Sequence, residues 1–138
     1  MTERSGYPSA VDPIQVGSYP ALAGAGGGLV WDAVLEYRVW CHPAAGGDDS
    51  FRAFATYDEA LAFTNSTPNA EDPVALIRQD EHIDEPEPGK FVHVKTPRVT
   101  EWPVEFLRRP RRTGHTIPDF LSPTAPADRL DILRGVAR

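Results

Sequence analysis

Four guanidiniums fall within five positions at Arg108-Arg109-Pro110-Arg111-Arg112. Forks packed this closely repel one another unless carboxylates, phosphates or water separate them, and each fork matches the paired oxygens of a carboxylate or phosphate. An anion-binding patch formed by Arg108, Arg109, Arg111 and Arg112 is one reading of that run. The chain also carries internal partners in excess. Its 138 residues have a net charge of -6, yet residues 1–88 hold 4 Lys/Arg against 15 Asp/Glu, net -11, while residues 89–138 hold 10 against 5, net +5. Pairing of the cluster with the chain's own acidic part is therefore the competing reading. A pI near 5.1 disfavours long duplex nucleic acid as partner, although Trp102, Phe106 and Phe120 offer faces on which bases could stack. Aromatic residues at such positions are more often core.

Other chemistry-bearing residues give weaker signals. His42, His82 and His93 would converge only if three strands lay side by side, with Cys41 nearby. Cys41 and His42 are neighbours in a strand and face opposite ways, so one of them is lost from any common site. No His-x-x-x-His or Cys-x-x-Cys pair is present, so structural histidines and no metal site are expected. Cys41 falls on an apolar strand face and reads as an inert thiol rather than a nucleophile, and as the single cysteine it excludes an internal disulfide. Glu85-Pro86-Glu87-Pro88-Gly89 and Asp48-Asp49 read as solvated acidic turns. No catalytic residue can be named.

These groups must be positioned by one domain, since 138 residues with 41% hydrophobic and 25% charged side chains suit a single globular unit. Residues 1–29 read as a flexible Gly/Pro-rich tail, with Pro8, Pro13 and Pro20 breaking regular structure and Gly24-Ala25-Gly26-Gly27-Gly28 as a linker. A domain over residues 30–138 follows. From residue 31, Trp31, Ala33, Leu35, Tyr37, Val39 and Cys41 alternate with Asp32, Val34, Glu36, Arg38, Trp40 and His42, which predicts a strand with one buried face. Val34 and Trp40 then lie on the other face, where the C-terminal helices could cover them. A turn over 43–49 leads to a second strand at 51–55. Thr56-Tyr57-Asp58-Glu59 is a capping box opening a helix that ends near Pro68.

Residues 74–83 read as a third strand, 84–89 as an acidic turn and 91–95 as a fourth strand. Trp102-Pro103 opens a short helical turn through Leu107. Residues 117–121 form a packed, irregular segment, and 128–134 a last helix stopped by Gly135. The predicted fold is α+β: an antiparallel sheet of about four strands in the order β-β-α-β-β, with short C-terminal helices. No segment approaches the roughly 20 apolar residues of a membrane helix, and the first residues lack a secretory pattern. The expected location is cytoplasmic.

Several strings resemble a small alphaproteobacterial protein family whose members are often labelled GNAT-type N-acetyltransferases. They include Glu36-Tyr37-Arg38-Val39-Trp40-Cys41-His42-Pro43, Thr100-Glu101-Trp102-Pro103-Val104-Glu105-Phe106-Leu107 with the arginines that follow, and Leu130-Asp131-Ile132-Leu133-Arg134-Gly135. The resemblance implies acetyl-CoA as cofactor. The nearest string to a pyrophosphate loop is Arg111-Arg112-Thr113-Gly114-His115-Thr116, with Arg111, Gly114 and Thr116 at the pattern's positions. Thr116 stands where the pattern needs a smaller residue, and Pro118 follows too soon for a long helix.

Three functions follow as expectations. The first is a non-catalytic binding or regulatory module without cofactor, engaging a protein or a phosphate-bearing ligand through the arginine cluster. The second is an acetyl-CoA-dependent N-acetyltransferase. The third is a homodimer joining the acidic part of one copy to the basic part of another.

Overall fold

The computed structural model describes residues 6–21 and 23–135; Met1–Ser5, Leu22 and residues 136–138, at the ends of the expected tail and domain or within them, lie outside the described residues. The fold is α+β. A five-stranded sheet has the order β1-β7-β4-β2-β3, from Gly24–Ala25 (β1), Ala33–Cys41 (β2), Ser50–Phe54 (β3), Val74–Gln79 (β4) and Arg98–Pro103 (β7). Its four longer strands pair antiparallel, and only the two-residue β1 runs parallel, beside β7. A separate hairpin joins His82–Glu87 (β5) to Lys90–Val94 (β6). The helices are α1, Tyr57–Ser66, and the short α2, Thr116–Leu121, and α3, Arg129–Leu133.

Helix α1 starts where the capping box requires: the Thr56 hydroxyl oxygen accepts from the Glu59 N–H at 3.1 Å, and the same hydroxyl donates to the Glu59 carboxylate. The alternation along β2 is interrupted. Pairing with β4 shifts between Val34 and Glu36, which makes Leu35 a bulge residue. One extra residue reverses the phase of the alternation. Val34 therefore joins Tyr37 and Val39 in the main core instead of facing away from them. Across the sheet, Tyr37, Ala75 and Trp102 stand in register, as do Val34, Ile77 and Thr100, and α1 lays Tyr57, Ala60 and Phe63 on that face.

The opposite face holds charge. Glu36 and Arg38 are fully buried and ion-paired at 2.7 Å, and Arg38 also reaches Glu101 at 3.0 Å. Neither is covered by a C-terminal helix. The Gly17 N–H donates to Glu36 at 2.8 Å, and Arg38 donates to the carbonyl oxygens of Pro20 and Ala21. The segment expected to be a tail thus lies on the sheet over its described part. Tyr7 and Ala10 are buried, and the Tyr37 hydroxyl donates to the Pro8 carbonyl. Composition alone hides this, because much of what the segment contributes is carbonyl groups, with Tyr7 and Ala10 as its buried side chains.

The third and fourth strands depart from expectation. Residues 74–83 do not form one strand; the chain leaves the large sheet at Asp80, whose N–H donates to the Asp32 carboxylate at 2.7 Å. The second half starts the hairpin, in which Asp84 and Glu87 belong to β5 rather than to a turn, with Glu87 opposite Lys90. Strand β6 pairs with β5, outside the large sheet. Its expected place is taken by β7, read from sequence only as the approach to a helical turn. That turn, Val104–Arg108, begins after β7 and buries Val104 and Leu107. The hairpin, α2 and α3 enclose a second core of Val30, Ile83, Ile117, Phe120 and Leu133. Among the described residues no helix is long and apolar enough to cross a membrane.

Candidate functional site

Arg108 ends the turn Val104–Arg108, and from Arg109 the arginine run is extended and tied to Trp31 at Arg109 and Arg112. The Arg109 carbonyl accepts from the Trp31 indole N–H at 3.1 Å, and the Arg112 N–H donates to the Trp31 carbonyl at 3.0 Å. Pro110 between them prevents continuation of the preceding turn. The four side chains meet different neighbours: Tyr7 for Arg108, Trp102 and Phe106 for Arg109, Trp31 for Arg111 and Asp32 for Arg112.

Arg108 is exposed, 5.8 Å from the Tyr7 ring centre, and Arg111 is exposed, 4.9 Å from that of Trp31. Arg112 is ion-paired to Asp32 at 2.9 Å, with Glu81 at 3.9 Å. Glu81 is itself bonded to His93 at 2.6 Å, which holds its carboxyl below the usual range. Among the four, only Arg112 has a carboxylate within ion-pair distance among the described residues.

Arg109 differs from all three. It is half-buried, its guanidinium 4.2 Å from the Phe106 ring centre and 4.9 Å from that of Trp102. One Nη donates to the Leu29 carbonyl at 3.2 Å. The side chain lines a cavity of about 190 Å³ together with Gly27, Leu29, Trp102, Phe106 and Arg134. Burial lowers the Arg109 pKa, and the neighbouring Arg134 lowers it further. An arginine stays protonated regardless, so the half-buried Arg109 and the exposed Arg134 bring two positive charges to one small cavity, with no acid among its described lining residues.

Two backbone features build the walls. Leu29 has φ +67, a conformation that costs a bulky L-residue free energy and persists only where its surroundings hold it. Here Arg109 holds its carbonyl. Gly27 and its neighbours turn their carbonyls inward: Gly27 accepts from the Trp102 indole N–H at 2.9 Å and from Gln79 at 3.0 Å, and Gly26 accepts from Thr100 at 3.1 Å. Each of these carbonyls is taken up by a side chain of the sheet, so the glycine segment is a structural wall and not a cradle of N–H groups.

The remaining sequence candidates lie elsewhere. At 111–116, the Thr113 N–H donates to the Thr116 hydroxyl, the His115 N–H to the Thr113 hydroxyl and the Thr116 N–H to the Thr113 carbonyl. These amides are engaged within the loop, Gly114 is exposed, and α2 behind it has six residues. His42 is exposed and clasped between Asp49, at 2.8 Å, and Glu71. It follows the last residue of β2, far along the chain from the hairpin that carries His82 and His93. His82 and His93 lie in adjoining cross-strand pairs, opposite Val94 and Ile83. Among the described residues no group of three or more His, Cys, Asp or Glu is placed to hold a metal ion. The Cys41 thiol is half-buried rather than buried, 3.8 Å from the Val39 carbonyl oxygen.

Sequence reasoning missed Arg134 and Leu29. Arg134 closes the last helix 25 positions from Arg109, and no local pattern links the two. Gly135, φ +74, allows the approach: a Cβ there would lie 3.3 Å from Pro110 and 3.4 Å from the Arg108 carbonyl. No family model, curated protein or solved structure matches the chain.

Proposed function

We propose that this domain is a non-catalytic binding or regulatory module that holds an anionic group at Arg109. The observation that carries this reading is the half-buried guanidinium of Arg109, without a carboxylate, sharing its cavity with Arg134. A buried charge left unpaired is costly, and proteins tolerate one where a ligand or a function compensates it. Arg108 and Arg111 flank the site as exposed cations that draw anions toward it. Arg112 is spent on Asp32 and serves to anchor the run.

Thermal unfolding at low ionic strength, with and without millimolar inorganic phosphate, tests the reading. A ligand that binds only the folded state stabilises it by RT ln(1 + [L]/Kd) and so raises the midpoint. The native chain should be stabilised more than an Arg109→Gln variant, which reports only the general effect of the salt. Equal stabilisation of the two proteins would overturn the proposal.

A further inference from the structure

We propose that the cavity takes a small phosphate monoester as its dianion, held between Arg109 and Arg134, and that the bound phosphate fastens α3 to the body of the domain. This rests on the reading of Arg109 as the anion anchor. Charge sets the ligand class: the half-buried Arg109 and the exposed Arg134 both line the cavity and no acid is among its lining residues, so a monocarboxylate leaves one cation uncompensated whereas a dianion neutralises both. Since one Nη of Arg109 is already bound to the Leu29 carbonyl, the rest of its fork is left for oxygens of the ligand. Leu29, Trp102 and Phe106 supply apolar wall, which suits an ester's organic group better than a bare ion. The volume of about 190 Å³ limits that group to a small one.

The coupling to α3 follows from where the two cations sit. Arg109 belongs to the segment tied to Trp31 in the main core, while Arg134 caps the five-residue α3. So short a helix has little stability of its own and depends on docking, here through Leu130 and Leu133. Without an anion the two cations repel, opposing that docking. With a bridging dianion the repulsion becomes attraction, and binding and docking favour each other reciprocally.

The test uses the full chain with phenyl phosphate and benzoate, which share a ring and differ in charge, followed by calorimetric titration and by amide hydrogen exchange. At pH 7.5 phenyl phosphate should bind at least tenfold more tightly than benzoate. Its affinity should fall at least threefold at pH 5.5, below the second phosphate pKa of about 6. Arg134→Gln should lose at least tenfold in affinity for phenyl phosphate while its melting point changes little, and the ligand should slow exchange of amides 129–135 in the native chain only. Arg109→Lys, which keeps the charge and removes the fork, should also bind weakly and covers the case in which Arg109→Gln fails to fold. If phenyl phosphate binds but benzoate equals it, or Arg134→Gln binds as well as the native chain, the dianion bridge is overturned and the anion site at Arg109 stands. Unchanged exchange at 129–135 on saturation overturns the fastening of α3. No binding of either probe at millimolar concentration overturns both proposals.

Discussion

Arg38 and Arg109 are both arginines withdrawn from water, and the chain treats them in opposite ways. Arg38 lies fully buried on the sheet face opposite α1, with Glu36 at 2.7 Å, Glu101 at 3.0 Å and two backbone carbonyls from the N-terminal segment. Its charge is matched and four of its five N–H donors are engaged, so little remains to recruit a ligand. Arg109 is half-buried with two aromatic faces, one carbonyl and a second arginine around it. Aromatic faces attract a guanidinium, but by about 0.5–2 kcal/mol, and do not replace a counter-charge. Burial of charge marks structure where the partners are internal, and, in the function we propose, it marks a site where they are missing.

The largest effect should come from breaking the filled arrangement. Arg38→Met strands Glu36 as a buried carboxylate with no cation and releases the carbonyls of Pro20 and Ala21. Removal of one partner of a buried ion pair costs about 3–5 kcal/mol. Denaturant unfolding should show a loss of that order, and hydrogen exchange should accelerate over residues 17–21. A loss below about 1 kcal/mol would mean that the network is not a structural lock. The double variant Glu36→Leu with Arg38→Met should recover part of the loss, because it removes the stranded charge.

Next in size is the strap that walls the open site. Gly28 has φ +82, and a Cβ there would lie 2.3 Å from Gln79 Nε2, which donates to the carbonyls of Gly27 and Val30. Gly28→Ala must displace a buried amide from two acceptors and also adopt an unfavourable backbone conformation. Together these amount to about 2–3 kcal/mol. The variant should also bind phosphate more weakly, since Gly27 and Leu29 flank the altered residue. Wild-type stability with unchanged phosphate binding would show that the strap does not shape the cavity.

The sequence made some of this visible and concealed the rest for identifiable reasons. The α+β class, the hairpin of β2 with β3 and the capped α1 were legible because alternation, Gly46-Gly47 and Thr56 with Glu59 are local signals. The bulge at Leu35 was not, since one inserted residue leaves the composition of the strand unchanged. Strand β7 was masked by Pro103, which reads as a helix start yet here closes a strand. The division of 74–83 depends on Asp32 reaching the Asp80 N–H, a contact 48 residues apart in the chain. Of the candidate site, the arginine run was visible, but which of the four would be left unpaired depends on Asp32, Phe106 and Arg134 meeting them in space.

Histidines repeat the contrast with opposite signs in pH. His82 is buried, and its Nδ1 has no hydrogen-bond partner among the described residues. Burial, then Arg98, and to a lesser degree His93, hold its pKa below the ordinary value against the opposing Asp84. Its contribution to stability is fully present above the unfolded value of about 6.5 and is lost as pH falls from there. His42 is clasped by Asp49 and Glu71, which raise its pKa. Its contribution is present below about 6.5 and is lost as pH rises through the raised value. Melting points of His82→Gln should fall less than wild type between pH 7 and 5, and those of His42→Gln should fall less on the alkaline side. Parallel curves for all three proteins would remove the histidines from the account.

The smallest expected change in stability, and the one that most sharpens the comparison, is at Arg109 itself. Arg109→Gln loses the ring contacts and the bond to the Leu29 carbonyl, which Gln can partly replace, but it also removes a desolvated charge and its repulsion with Arg134. These effects oppose one another, so the net change without anion should stay within about 1 kcal/mol, against about 3–5 kcal/mol for Arg38→Met. The order should invert when binding is measured, because Arg38 is fully buried with four of its five donors engaged, whereas Arg109 has most of its fork. A conservative Arg38→Lys variant that still folds should keep its response to phosphate, whereas Arg109→Gln should lose it. Stability and anion binding falling together at Arg109, with a loss as large as at Arg38, would mean that Arg109 is a structural residue like its buried counterpart.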